Sequence, residues 1–249
     1  MRVIKLGGNE LDTPSFRHEL ARMVAALDQP TVLVHGGGSS VDEIQILLGS
    51  TPERVDGLRR TDAAALEAAL MVLCGRLRSQ IVEALLSQGI RAIGLSGFDA
   101  GLVRVRKLHH PETDLGLVGE VVSVQADLLH MLLDAGLTPV VSPLSLGVDN
   151  QIYNVNADTV AASIASALGA DELDFISNVS GVHRSGKVVA QLEVEMAEGL
   201  IARKEIRDGM VPKVRAGTEA INGGVPQVRI ANLAGIATGG GTLLTSSNG

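Results

Sequence analysis

Short runs of β-branched and aliphatic residues alternate along the whole chain with longer stretches that carry apolar residues at helical spacing. The runs at residues 2–6, 31–35, 91–95, 139–142, 173–177, 227–231 and 241–244 read as strands. Residues 14–27, 39–48, 61–86, 128–134, 156–168 and 211–221 read as helices, with Thr13 as an N-cap and Pro14 at the first helical position of the first. Such alternation constrains the fold to an α/β three-layer αβα sandwich with an open, mostly parallel central sheet. Composition agrees: 45% of the residues are apolar but only 2% are aromatic, so the core must be aliphatic. One segment departs from the rhythm. Residues 102–106 and 118–124 flank His109-His110-Pro111-Glu112 and suggest an antiparallel hairpin. No low-complexity linker or internal repeat divides the chain, so any lobes must be packed against each other around a cleft. In sheets of this kind ligands sit beyond the carboxyl ends of the strands. His35-Gly36-Gly37-Gly38, Ser96-Gly97 and 177–181 all fall there.

Several function classes are excluded. A formal charge of −7 leaves no cation excess for general nucleic-acid binding, and with no Trp, one Tyr and three Phe there is little to stack on bases. Cys74 is the sole cysteine, which rules out a disulfide framework within one chain; its helical setting reads as an inert packed thiol. No run of about 18 apolar residues is present to span a bilayer, and the start does not read as a signal peptide. A cytoplasmic protein is expected.

Arginine is the default cation, since only five of the 21 basic residues are lysines. Two of those lysines lie near opposite ends of the chain in glycine-rich settings. Lys5 sits in Val3-Ile4-Lys5-Leu6-Gly7-Gly8, and Lys213 in Asp208-Gly209-Met210-Val211-Pro212-Lys213. A compact charge on a flexible stem beside glycines suits a site where negative charge accumulates, such as a phosphoryl group in transfer.

Other motifs are read against plainer alternatives. His35-Gly36-Gly37-Gly38 lets backbone approach an anion at a helix N-terminus, whereas a tight turn would need only one or two glycines. It is neither a P-loop nor a Rossmann fingerprint. Asn154, Asn156 and Asp158 alternate just before a helix, where a single one would suffice as a cap. In Asp56-Gly57-Leu58-Arg59-Arg60-Thr61-Asp62 an arginine could grip a carboxylate, but taken alone the stretch reads as a solvated loop capping the next helix. His109-His110-Glu112-Asp114 looks like a ligand set yet reads as a solvated loop, so no metal site is assigned. No Gly-x-Ser-x-Gly elbow supports serine nucleophile chemistry.

Eight motifs in a fixed order resemble the amino acid kinase family over nearly the whole chain. They are Ile4-Lys5-Leu6-Gly7-Gly8, His35-Gly36-Gly37-Gly38, Gly57-Leu58-Arg59, Gly94-Leu95-Ser96-Gly97-Phe98-Asp99, Val118-Gly119-Glu120-Val121, Asn154-Val155-Asn156-Ala157-Asp158, Ser177-Asn178-Val179-Ser180-Gly181-Val182 and Asp208-Gly209-Met210-Val211-Pro212-Lys213. The likeness is greatest to the branch that phosphorylates N-acetyl-L-glutamate in arginine biosynthesis. The resemblance implies an acyl-amino-acid-binding and dimerisation lobe over residues 1–168 and an ATP-binding lobe over 169–249. It implies Lys5, Lys213 and Asp158 as the catalytic set, with Asp158 organising the lysines. Gly37, Gly38, Arg59, Asn154 and Asn156 would hold the acyl amino acid. Gly7, Gly8, Asn178, Val179, Ser180, Gly181, Val182, His183, Gly209 and Met210 would hold the nucleotide, together with the stretch just before Gly209. ATP and Mg²⁺ are the implied cosubstrate and ion, and a homodimer the implied assembly.

The implied chemistry suits the residues. A carboxylate acceptor is already ionised near neutral pH and needs no general base. Two features point to an alternative. Asn178, where the branch more often has Asp, and Met71-Val72-Leu73-Cys74-Gly75 are similar to kinases that act on aminoadipate or glutamate linked to an acidic amino-group carrier protein. Arg104, Arg106 and Lys107 could supply a basic rim for such a partner. A non-catalytic nucleotide- or anion-binding member of the fold would have no use for Lys5, Asp158 and Lys213 together. The short stretch 232–241 suggests a trimmed nucleotide-side edge. The start at the first strand, without the extra helix of arginine-inhibited members, suggests a dimer without that control.

Overall fold

The computed structural model describes residues 1–8, 10–184 and 186–246. Its strands, in chain order, are β1 (Arg2–Leu6), β2 (Thr31–His35), β3 (Arg54–Val55), β4 (Leu58–Arg59), β5 (Ala92–Ser96), β6 (Val103–Lys107), β7 (Gly119–Val124), β8 (Thr138–Ser142), β9 (Ser145–Gly147), β10 (Ile152–Tyr153), β11 (Glu172–Ile176), β12 (His183–Arg184), β13 (Lys187–Val188), β14 (Gln191–Glu193), β15 (Gln227–Ala231) and β16 (Thr242–Thr245). The helices are α1 (Pro14–Ala25), α2 (Gly38–Leu47), α3 (Ala63–Ala69), α4 (Arg78–Ser87), α5 (Ala126–Asp134), α6 (Ala157–Leu168), α7 (Val194–Ala202), α8 (Met210–Asn222) and α9 (Leu233–Thr238).

An eight-stranded sheet runs β14-β16-β15-β11-β1-β2-β8-β5. The strands from β15 to β5 are all parallel, and β16 joins β15 antiparallel with β14 parallel to it. β1 lies at the centre, pairing over five residues with β2 on one side and β11 on the other. Its near-continuous apolar run follows from burial on both faces.

One face packs against α5, α6, α7 and α8 through residues such as Leu129, Val160, Ile164, Leu200 and Val214. The opposite face packs against α1 to α4 and α9 through Leu20, Val41, Leu66, Ile81 and Ile236. The three layers expected from the alternation are present. A second sheet, β10-β9-β6-β7, contains the expected antiparallel pair, β6 with β7.

Local chemistry explains several boundaries. Asn156 caps α6 by accepting from the Asp158 backbone N–H at 2.7 Å, and Gly169 ends it at φ 59. Asp62 caps α3 through the Ala65 N–H at 2.7 Å. Thr13 is extended as a cap should be but makes no side-chain bond, so Pro14 marks the start of α1. The long helix expected over 61–86 is interrupted, because Leu70–Leu77 adopts a π-helical turn between α3 and α4. The stretch 232–241 holds α9, capped by Asn232 and closed by Gly239 at φ 74. No helix among the described residues is long and apolar enough to cross a membrane.

Candidate active site

The carboxyl ends of β1 and β2 run into two glycine loops that touch. A Cβ on Gly8 would collide with the backbone N of Gly38 and lie 2.7 Å from its Cα. Only glycine at position 8 permits this approach. A Cβ on Gly37 would instead meet the side chains of Leu73 and Val41, so the π-helical turn and α2 press the second loop into place.

Lys5 occupies β1 between Val34 of β2 and Phe175 of β11. Its ammonium lies 2.8 Å from Oδ1 of Asp158 in the first turn of α6. Lys213, in the first turn of α8, lies 3.4 Å from Oδ2 of the same carboxylate and 3.5 Å from the Gly209 carbonyl oxygen. The two lysines expected to meet therefore do meet, over one aspartate. All three are largely withdrawn from solvent, with side-chain exposures of 7%, 14% and 6% for Lys5, Lys213 and Asp158.

Burial alone would raise the Asp158 pKa, but Lys5 and Lys213 outweigh it and hold the carboxyl below its ordinary value. Lys213 is lowered, first by burial and then by the like charge of Lys5, against the pull of Asp158. The Lys5–Asp158 contact is a charge pair off the hydrogen-bonding direction, since Oδ1 has no aligned donor. One carboxylate facing two ammonium groups leaves a surplus positive charge, which suits an incoming anion.

A cleft of about 230 Å³ opens beside this cluster. Lys5, Asp158, Gly37, Gly38, Arg59, Asn154 and Asn156 all line it, and so does Gly8, which had been expected beside the nucleotide instead. Asn156 spends its side-chain oxygen on capping α6. Asn154 donates from Nδ2 to the Thr61 hydroxyl at 3.1 Å.

Arg59 is not on a solvated loop. It belongs to the short β3–β4 hairpin, with its side chain 12% exposed. Its guanidinium donates to Asp42, to Gln45 Oε1 at 3.0 Å and to the Gly38 carbonyl at 3.4 Å. Burial lowers its pKa while Asp42 opposes the shift. Arg54, across the hairpin, donates to both Asp42 oxygens at 3.1 and 2.8 Å. Arg54, Val41, Ala69 and Leu73 also line the cleft and were not anticipated. Helical spacing from the glycine loop to Val41, Asp42 and Gln45 was the available signal.

A wider cleft of about 690 Å³ lies on the β11–α8 side. Val179, Gly181, Val182, His183 and Met210 line it. So do Arg184, Gly186 and residues 204–207, the stretch expected just before Gly209. Asn178, Ser180 and Gly209 are neighbours of its walls in sequence without lining it, and Gly7 lines neither cleft.

One lesser expectation is corrected. His110 is not a solvated loop residue: its side chain is 10% exposed and its Nε2 lies 3.2 Å from Asp56 at the tip of the β3–β4 hairpin. His109, Glu112 and Asp114 are exposed, as expected. Cys74 has polar company, with Sγ 3.3 Å from Ser142 Oγ and 3.2 Å from Ser96 Oγ. The basic rim is largely neutralised, since Arg106 pairs with Glu120 and Lys107 with Asp114 at 3.0 Å. Among the described residues no group of three or more His, Cys, Asp or Glu could hold a metal ion.

Comparison with known proteins matches residues 1–232 to the amino acid kinase family. An acetylglutamate kinase of a Roseiflexus species is 50% identical, covering 98% of this chain and 93% of its own. Acetylglutamate kinase of Methanopyrus kandleri is 41% identical, covering 98% of this chain and 100% of its own. Among solved structures, a Streptococcus mutans protein superposes with a TM-score of 0.84 at 26% identity, covering 99% of this chain and 98% of that one. Carbamate kinase from Giardia lamblia shares the fold, with a TM-score of 0.72 at 14% identity over 99% of this chain and 98% of that one. With the paired lysines, their shared aspartate and the two clefts in place, the chain belongs to the amino acid kinase family.

Proposed function

We propose that the chain transfers the γ-phosphoryl group of ATP to the side-chain carboxylate of N-acetyl-L-glutamate, as its relatives' names indicate for them. The observation that carries this reading is the convergence of Lys5 and Lys213, from opposite ends of the chain, on buried Asp158 beside a basic cleft. In this reading the 230 Å³ cleft takes the acyl amino acid and the 690 Å³ cleft the nucleotide. Arg59 and Asn154 hold the acceptor's carboxylate end. Residues 1–168 form the acyl-side lobe and 169–249 the nucleotide-side lobe. The open β5 edge and the exposed Leu86 of α4 fit a homodimer, and a reaction in the cytoplasm belongs to the same reading.

The chemistry follows from charge. A carboxylate oxygen attacks the γ-phosphorus, the bond to the β–γ bridging oxygen breaks, and ADP leaves with that electron pair. No proton has to be removed, so no base is needed. Both substrates are anions. Lys5 and Lys213 offset their repulsion and stabilise the oxygens of the group in transfer. Asp158 stays ionised and keeps the two ammonium groups from repelling one another. Mg²⁺ would add charge neutralisation on the phosphates. Asp158 is already engaged by two lysines, so phosphate oxygens and water would supply most of that ion's ligands.

Turnover with N-acetyl-L-glutamate, N-acetyl-L-aminoadipate and free glutamate, measured side by side, tests the proposal, with the acyl phosphate trapped by hydroxylamine. Preference for N-acetyl-L-glutamate is expected. Hydroxamate from a carrier-linked amino acid alone would replace this reading with the carrier-dependent one.

A further inference from the structure

Thr61 lies at the foot of the β3–β4 hairpin, has no exposed surface and does not line the acyl-side cleft. Its hydroxyl donates to the Arg59 carbonyl at 2.9 Å and receives the Asn154 Nδ2 at 3.1 Å. The backbone of Arg59 and the side chain of Asn154, the two residues read as gripping the acceptor's carboxylate end, are thus joined through one buried hydroxyl. We propose that Thr61 is a positioning residue for acyl amino acid binding, acting through the Asn154 amide and the backbone of Arg59. The proposal rests on the reading of the smaller cleft as the acyl amino acid site.

Chemistry gives the link a direction. A hydroxyl carries one hydrogen, and the Arg59 carbonyl takes it. Toward Asn154 the hydroxyl can then only accept. The amide must present Nδ2 to Thr61, which turns Oδ1 the other way and leaves Nδ2 a second hydrogen. Without the hydroxyl the amide could rotate by half a turn and offer a carboxylate its oxygen in place of an N–H. A carboxylate ligand would be repelled by that rotamer.

The main chain supports the same junction independently of the side chain. The Thr61 N–H donates to the Leu115 carbonyl at 2.9 Å, and its own carbonyl accepts from the Leu117 N–H at 2.7 Å. The Asn154 N–H donates to the Leu117 carbonyl at 2.9 Å, so hairpin, 115–117 strip and Asn154 are laced in sequence. Gly116 at φ 74 makes room, since a Cβ there would collide with the Thr61 carbonyl. These backbone bonds survive a change of side chain, so substitution isolates the hydroxyl.

The test is steady-state kinetics of Thr61→Val, Thr61→Ala, Thr61→Ser, Asn154→Ala and the double variant Thr61→Val/Asn154→Ala, with thermal melts alongside. Thr61→Val should raise KM for N-acetyl-L-glutamate roughly 5- to 20-fold, with KM for ATP and kcat near parental values. Thr61→Ser should restore most of that affinity. The loss in the double variant should be smaller than the sum of the losses in Thr61→Val and Asn154→Ala. If Thr61→Val does not fold, the contrast between Thr61→Ala and Thr61→Ser carries the same information. An unchanged KM in Thr61→Val or Thr61→Ala, equal losses in the Ser and Ala variants, or fully additive losses in the double variant would each overturn the proposal while leaving the functional reading intact. Parental protein that does not phosphorylate N-acetyl-L-glutamate would overturn that reading, and this proposal with it.

Discussion

The two clefts are built differently. The acyl-side cleft draws on β1, β2, the β3–β4 hairpin, the π-helical turn and the start of α6, and its polar groups already have partners. The cleft on the β11–α8 side has about three times the volume and is walled by exposed β12, Gly186 and residues 204–207. One is small and held by groups that are already paired; the other is broad and lined by exposed segments. On the proposed reading, the contrast teaches that recognition of the acceptor would be set by the folded core and the nucleotide would be held by segments near the rim.

The largest effect tests whether the lysine cluster belongs to both sides. Lys213→Ala should lower kcat by roughly 10²- to 10³-fold, because a preplaced charge at the transferring group is lost. KM for the acyl amino acid should change little and the circular dichroism spectrum should be retained. A variant with near-parental turnover would detach Lys213 from the chemistry.

The buried bed of the acyl side should respond to pH. His35 is fully buried beside the glycine loop, with Nδ1 3.1 Å from the Gly36 carbonyl. Burial lowers its pKa from 6.5 to about 4, and the charges of Arg78 and Lys5 add to the fall. Between those values the unfolded chain binds a proton that the folded one refuses, so stability falls as pH drops. The loss should total about 3 kcal/mol across that window. Asp174, pushed up to about 6 chiefly by burial, slopes the other way, so the readout is the difference between parent and His35→Gln. Denaturant melts at several pH values should show that difference shrink as pH falls from 6.5 to 4. A difference independent of pH would rule His35 out as the source.

Glycine substitutions sharpen the comparison further. Gly8→Ala forces the two loops apart against backbone and should cost about 2 kcal/mol of stability, with a raised KM for the acyl amino acid. On the nucleotide side, a methyl group at Gly209 would meet nothing within 4 Å, and the backbone there has an ordinary φ of −62. Gly209→Ala should shift stability by only about half a kcal/mol, in the stabilising direction. Equal losses from the two would erase the distinction between a tight side and a loose one.

The central sheet was legible because strands buried on both faces have no polar positions to blur their ends. The bounds of β1, β2 and β15 match those read from the residues. Lys5 and Lys213 were legible because scarce lysines in glycine-rich settings stand out; Asp158 stood out only within the polar alternation before a helix, and its place over the lysines came from the family resemblance. Pairs such as β3–β4 and β12–β13 were not, since two-residue strands carry no period to detect. The π-helical turn was equally hidden, because its apolar spacing differs little from that of an ordinary helix. Asp42, Gln45 and Thr61 escaped notice for another reason: their roles depend on partners 14 to 93 residues away.

The central position of β1 also bears on how the molecule is made. β1 lies in the middle of the finished sheet, yet its partner on one side, β11, begins 170 residues after it (2 to 172). Until that segment is synthesised, one edge of an apolar strand stays unpaired. Such long-range closure slows folding and leaves a surface on which nascent chains can associate. Expression yield, more than activity, is therefore where substitutions at the apolar positions of β1 and β11 will first be felt.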